Sequence, residues 1–210
     1  MNYYLDIQLA LPDAEANFGF IWQKLFQQVH FALVEHGYES ERKLKHGDTK
    51  VLRNSKIAVS FPEYQNHPYP LGSKLRLFAQ TEAELQKLAI DKWLNRLLDY
   101  VSIGKIQTVT DETQFVAFKQ KRIKGVKRLE YSLNKKAKHI AEKFNVDFDQ
   151  CLKELKEKYV FEQTKLPFIQ LESQTSKQRG DRGLFQIFIE KADQTAATNL
   201  MYDCYGLVLN

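Results

Sequence analysis

Cysteine, histidine and glycine are sparse in this 210-residue chain, and each scarcity excludes something. Two cysteines, Cys151 and Cys204, are too few for a disulfide framework at this size, so a reducing cytoplasm is the expected compartment. No apolar run reaches the length that crosses a bilayer, and no membrane partner is expected. The start, Met1-Asn-Tyr-Tyr-Leu-Asp6, has no basic segment and sets an acid where a secretion signal would be apolar. His30, His36, His46, His67 and His139 do not fall with Cys or acids at ligand spacing, so no metal or other cofactor is expected. There is no phosphate-cradling glycine loop, no serine-protease motif, no internal repeat and no low-complexity tract.

What the chain does have is localised positive charge. Its net charge of +5 is modest, and acids and bases nearly cancel over most of its length. Between Phe118 and Phe144, however, stand Lys119, Lys121, Arg122, Lys124, Lys127, Arg128, Lys135, Lys136, Lys138 and Lys143, against only Glu130 and Glu142. Like charges so concentrated repel one another unless a polyanion neutralises them. Nucleic acid does so with release of condensed counterions. The plain alternative is a solvated helix face.

Periodicity supplies the elements. Tyr3–Leu9 alternates and reads as a strand, and Ala16–His36 carries Phe18, Trp22, Leu25, Val29 and Leu33 as one helical stripe. Tyr38–Ser55 is polar and basic and reads as an exposed loop. Ile57–Phe61, stopped by Pro62, and Lys74–Phe78 read as strands. Thr81 with Glu84 predicts a capping box for a helix towards Tyr100, and Ile103–Val109 a fourth strand. The order is βαββαβ, a ferredoxin-like half.

The second half is less regular. Phe115–Phe118 reads as a strand, and Leu133, Ala137, Ile140, Ala141 and Phe144 share one helix face opposite Lys135, Lys138, His139 and Lys143. Another helix after Asp147 and strands at Pro167–Leu171, Leu184–Ile189 and near Tyr205 complete the reading. The expected fold is α+β: a ferredoxin-like domain over 1–112 carrying the His30 helix, then an α+β RNA-binding domain over 113–210 with the basic helix.

Three residues stand out as chemistry. His30 falls on the flank of the apolar stripe, where a ring is packed on one side and open on the other, as a general base requires. Its ordinary pKa of about 6.5 suits proton transfer near neutrality; an ordinary boundary histidine would look the same. Ser173 lies where a buried strand gives way to Gln174, Thr175, Ser176 and Lys177, able to meet a phosphate or ribose, or simply a turn. Tyr205, in Cys204-Tyr-Gly206, reads alone as a buried aromatic.

Taken in order, Tyr4-Leu-Asp-Ile-Gln-Leu9, Leu25-Phe-Gln-Gln-Val-His-Phe-Ala-Leu33, Ile57-Ala-Val-Ser-Phe-Pro62, Leu71-Gly-Ser-Lys-Leu-Arg76, Leu166-Pro-Phe168, Ser173-Gln174, Phe185-Gln-Ile-Phe-Ile189 and Cys204-Tyr-Gly-Leu207 resemble one family. It is the CRISPR repeat-cleaving endoribonucleases of type I-F systems. The resemblance implies a metal-independent enzyme that binds the repeat hairpin, cuts 3′ of its stem and stays on the CRISPR RNA within a type I-F surveillance complex. It also implies that His30 acts on the ribose 2′-hydroxyl, Ser173 positions that ribose, Tyr205 orients the histidine and Phe185 stacks below the last base pair. The expected products are a 2′,3′-cyclic phosphate and a 5′-hydroxyl.

The chain departs from that pattern in its RNA contacts. Lys135, Lys138, His139 and Lys143, with Glu142 among them, stand where relatives carry arginines, and lysine lacks the two-pronged geometry of arginine. Lys119, Gln120 and Arg122 match a linker in which arginine precedes glutamine; here the order is exchanged, so either the alignment is displaced or the readout differs. Gln174 and Thr175 join the expected RNA contacts. Two other readings remain open: a non-catalytic hairpin-binding subunit, and a general RNA-binding or ribosome-associated protein.

Overall fold

A computed structural model gives the fold, and describes residues 1–10, 17–43, 47–65, 69–110, 116–121, 123, 125–158, 164–180, 183–192 and 200–209. Contacts divide the chain into two compact units: Met1–Lys121 with Leu166–Asn210, and Arg122–Lys165. The architecture is mixed α+β with antiparallel sheets.

In the first unit the chain runs β1 (Tyr3–Leu9), α1 (Phe18–Glu35), β2 (Tyr38–Lys43), β3 (Thr49–Ser55), β4 (Ala58–Ser60), β5 (Lys74–Ala79), α2 (Glu82–Leu88) and α3 (Ile90–Trp93). A 3-10 turn at Asn95–Leu97 leads to β6 (Val101–Ile103), β7 (Gln107–Thr108) and β8 (Phe118–Lys121). The second unit holds α4 (Val126–Phe144) and α5 (Phe148–Lys158). The chain then returns to the first unit as β9 (Phe168–Glu172), α6 (Gln174–Gln178), β10 (Leu184–Lys191) and β11 (Tyr202–Asp203).

One sheet has the order β4-β5-β1-β6, with β7 also on β1. Its register sets Asp6 opposite Arg76, whose guanidinium donates to both carboxylate oxygens at 2.6 and 2.8 Å and lies 4.1 Å over the Tyr4 ring. A second sheet runs β8-β10-β9 and a third β11-β3-β2. Helix α1 starts at Asn17, whose side chain accepts the Phe20 N–H at 3.2 Å. It buries Ile21, Trp22, Leu25, Phe26, Val29, Ala32 and Leu33 in one core with Ile7, Leu75, Leu77, Ile169, Leu171, Ile187 and Ile189. Each large side chain so buried contributes roughly 1.5–3 kcal/mol. The helix carrying His30 thereby packs on β9, the strand that ends at Glu172, next to Ser173.

Three expectations need correction. Tyr38–Ser55 is a hairpin, β2–β3, not a loop; its strands expose most of their side chains and bury only the polar Asn54 and Ser55, so there is no apolar alternation to read. The helix towards Tyr100 starts with its capping box, Thr81 and Glu84 each bonding the other's backbone N–H at 3.3 and 3.1 Å, but breaks at Ala89 (φ 44°). Burial of Leu88 and Ile90 on either side accompanies that left-handed residue. The fourth strand is two short pieces, β6 and β7, both against β1. Phe115, expected to begin a strand, lies outside the described residues.

In the second unit, α4 packs along α5 and buries Leu129, Leu133 and Ala137. Asn145 ends α4 in the left-handed conformation that asparagine tolerates. Lys135, Lys138, His139 and Lys143 are exposed on it.

Candidate active site

His30 projects half-buried from α1, and its Nδ1 lies 2.9 Å from the Cys204 carbonyl oxygen. A carbonyl oxygen can only accept, so in the neutral ring Nδ1 carries the hydrogen and donates it. The lone pair is therefore on Nε2, the other nitrogen. Burial lowers the His30 pKa below its ordinary value, and the bond to Cys204 opposes that only in part. Near neutral pH the ring is an uncharged base with a fixed tautomer.

Tyr205 covers one face of this ring, with centroids 4.3 Å apart and planes at 21°. It also stacks on Phe26, one turn earlier in α1, at 6.5 Å and 10°. The segment holding Tyr205 is itself pinned. The Asp203 carboxylate accepts the Tyr205 and Leu207 N–H groups at 2.9 and 3.0 Å, and Gly206 N–H donates to the Asp203 carbonyl at 2.9 Å. Gly206 has φ 72°, and a Cβ there would stand 2.6 Å from Val59 Cγ2. Its carbonyl accepts the Val59 N–H of β4 at 2.8 Å. On the other side β11 pairs with β3, setting Asp203 opposite Asn54. Burial, then the charge of Asp203, pushes the Cys204 thiol up to about 11. The sulfur is protonated at pH 7, and the working group of Cys204 is its carbonyl.

Ser173 is the N-cap of α6, its Oγ accepting the Ser176 N–H at 3.3 Å and its own N–H donating to Gly183 O at 2.7 Å. As a hydroxyl it keeps a hydrogen to donate to an incoming oxygen. Among the described residues no hydrogen bond joins Ser173 to the His30 ring. The link is indirect: Gln27, one turn before His30, accepts the backbone N–H of Glu172, next to Ser173, at 2.9 Å.

The expected RNA-contacting residues fall on several elements. Phe185 is half-buried on β10 opposite Leu171, packed against the core. Lys119 lies 3.4 Å from the Glu190 carboxylate, and Gln120 follows it on the other side of β8. Gln174 is exposed in α6. Arg122 and the Thr175 side chain lie outside the described residues. Lys138 stands 3.9 Å from Glu142, both well exposed. Among the described residues no three His, Cys, Asp or Glu side chains gather as a metal site. No helix among them is long and apolar enough to cross a membrane.

Sequence reasoning missed the Cys204 carbonyl and Gln27. A backbone oxygen carries no signature of its own, and a glutamine beside an apolar stripe reads as surface.

The family model described as CRISPR-associated protein (Cas_Csy4) matches residues 4–210. The curated proteins contain no match to the chain. A match that takes in both compact units, from β1 to the strap that carries Tyr205, means that the chain belongs to the Csy4 family of CRISPR-associated, repeat-processing endoribonucleases.

Proposed function

We propose that the protein cleaves the hairpin of its CRISPR repeat at the 3′ side of the stem, by attack of a ribose 2′-hydroxyl on the adjacent phosphate and without a metal ion. His30 Nε2 takes the 2′ proton as the oxygen bonds to phosphorus. The bond from phosphorus to the 5′ oxygen breaks, that oxygen takes a proton from water, and the hydroxide left behind takes back the proton held on His30. The products are a 2′,3′-cyclic phosphate and a 5′-hydroxyl. Because the nucleophile belongs to the substrate, the protein has chiefly to align three atoms and move one proton.

The observation that carries this reading is the Nδ1–H bond from His30 to Cys204, which leaves the second ring nitrogen with its lone pair. In the same reading Tyr205 orients the ring, Ser173 positions the ribose and Phe185 stacks below the last base pair. Lys135, Lys138, His139 and Lys143 follow stem phosphates, and Lys119, Gln120, Arg122, Gln174 and Thr175 complete the RNA contacts. A His30-bearing half over 1–112 and an RNA-binding half over 113–210 belong to it too. The sheet order β4-β5-β1-β6 supports a ferredoxin-like arrangement of the first half. Since binding energy from the uncleaved stem survives the reaction, the product stays bound. The protein then serves as a cytoplasmic subunit of the type I-F interference complex.

The test uses transcripts of the CRISPR repeat incubated with excess chelator. The parent protein cuts once per repeat, and a substrate with a 2′-deoxyribose at the cleavage position stays intact. His30→Ala loses roughly 10²–10⁴-fold in rate, the usual worth of a general base. Tight binding by the parent without cleavage would instead mark a hairpin-binding subunit, and equal binding of unrelated hairpins a general RNA-binding protein.

A further inference from the structure

We propose that Gln27 is a positioning residue for this reaction: its amide oxygen, by accepting the Glu172 N–H, locks the Ser173 end of β9 against the turn of α1 that precedes His30. The inference rests on the cleavage reading above and adds a residue that acts through two others.

The argument begins at a sheet edge. In the order β8-β10-β9, strand β9 is outermost and has β10 on one side only. Its last residues alternate in direction: Ser173 N–H turns inward to Gly183 O, and Glu172 N–H turns outward. An outward N–H beside a packed helix is shielded from water and costs free energy unless it finds an acceptor. Gln27 supplies one at 2.9 Å.

Gln27 is unusual in its own right. It is 8% exposed, one of only four polar or charged side chains buried among the described residues. A buried amide is retained where its hydrogen bond fixes a geometry, because an apolar side chain would cost less to bury.

The bond joins two elements with separate duties. Residue 30 follows residue 27 by three positions, so both lie on neighbouring turns of one rigid helix. Ser173 follows Glu172 directly and caps α6. Helix α1 also contacts β9 through apolar packing, but apolar contacts permit a slide along the strand that a directional hydrogen bond does not. A ribose held by Ser173 and a base on α1 must agree to within a fraction of an ångström for in-line attack, so the tie sets their register.

The test measures single-turnover cleavage of the repeat transcript, affinity for the same RNA with 2′-deoxyribose at the cleavage position, and Tm. Gln27→Met keeps length and bulk but has no acceptor; Gln27→Glu keeps the acceptor. We expect Gln27→Met to lower the cleavage rate roughly 10- to 100-fold, with affinity changed less than about threefold. We expect Gln27→Glu to recover most of the rate. Combined with Ser173→Ala, the methionine change should cost far less than it does alone, because the tie then has nothing left to position. If Gln27→Met does not fold, Gln27→Asn, too short to reach the strand, is read in its place. The inference is overturned if the variant without acceptor cleaves like the parent, if rate and affinity fall together, if glutamate gives no rescue, or if the two losses add. A parent that cuts no repeat RNA removes the cleavage reading, and the role of Gln27 with it.

Discussion

The Tyr205 ring lies over the His30 imidazole at 4.3 Å between centroids, and over Phe26 one helical turn away at 6.5 Å. One side chain from the C-terminal strap thus spans an i, i+4 pair of α1. It shields a face of the imidazole from water while the neighbouring Cys204 carbonyl fixes its tautomer. Shielding disfavours the charged imidazolium, which is the physical cause of the lowered pKa.

The pH profile of cleavage should report this. In kcat/KM the acid limb belongs to the free enzyme, so its midpoint is expected below the ordinary histidine value of about 6.5. Tyr205→Leu opens the ring to solvent, and the midpoint should move up towards 6.5. A midpoint unchanged by that substitution would mean that the stack does not control the base.

Stability should follow the same group with a defined sign. A histidine whose folded pKa is lowered stabilises the fold above its unfolded value and loses that contribution as pH falls through the folded one. Acidification below about pH 6.5 is therefore expected to cost the parent more stability than His30→Gln. Urea titrations of both proteins at several pH values measure the difference.

Gly206 offers a test of the strap that needs no titration. Its φ of 72° disfavours any residue with a Cβ, and that Cβ would meet Val59 at 2.6 Å. Gly206→Ala should cost about 1–3 kcal/mol and lower cleavage, since the strap must shift away from β4. Gly125, with open space where its Cβ would be, should accept alanine for about 1 kcal/mol or less. Denaturant midpoints compare the two directly.

How far the chain could be read from its residues depended on the kind of signal. The α1 stripe and the strands β1, β5 and β10 showed themselves because burial imposes a period on apolar side chains, and β4 because Pro62 stops a short buried run. The β2–β3 hairpin did not, since its Glu, Arg and Lys side chains face water on both sides. The break at Ala89 was hidden for a different reason. Its left-handed backbone answers to packing of Leu88 and Ile90, and local propensity favours helix there. At the candidate site, the family resemblance singled out His30, Ser173 and Tyr205, whose residue types alone read equally well as a boundary histidine, a turn and a buried aromatic. Their supports were not marked, because the Cys204 carbonyl and the Glu172 N–H are backbone groups that no side chain signals.

The Asp6–Arg76 pair should matter to the sheet beneath the site. The guanidinium bonds both carboxylate oxygens between paired strands and covers the Tyr4 ring, with its side chain about one-fifth exposed. Partial exposure discounts the charge term, so Arg76→Met should cost about 1–2 kcal/mol. High salt should recover little of it, because the loss is mostly of directed hydrogen bonds. Urea midpoints at two salt concentrations provide the check.

The cationic face of α4 can be judged by salt alone. Each phosphate neutralised adds nearly one unit to the slope of log affinity against log salt, whatever the base sequence. Lys138 and Lys143 are exposed, and among the described residues the carboxylate paired with Lys138, that of Glu142, stands 3.9 Å off in open solvent, where such a pair is weak. Both ammonium groups are therefore available to a polyanion. Replacing both by glutamine should flatten the slope for the repeat hairpin by roughly two units and weaken binding most at low salt. Glu142→Gln should tighten it by a few tenths of a kcal/mol, since it removes a competitor and a like charge to the phosphates. Cleavage of RNA already bound should change little in both variants, because charge along the phosphates acts on binding and not on the proton transfer proposed for His30. If the slope stays at the parental value, α4 does not lie along the RNA backbone, and the positive charge that distinguishes this segment serves another partner.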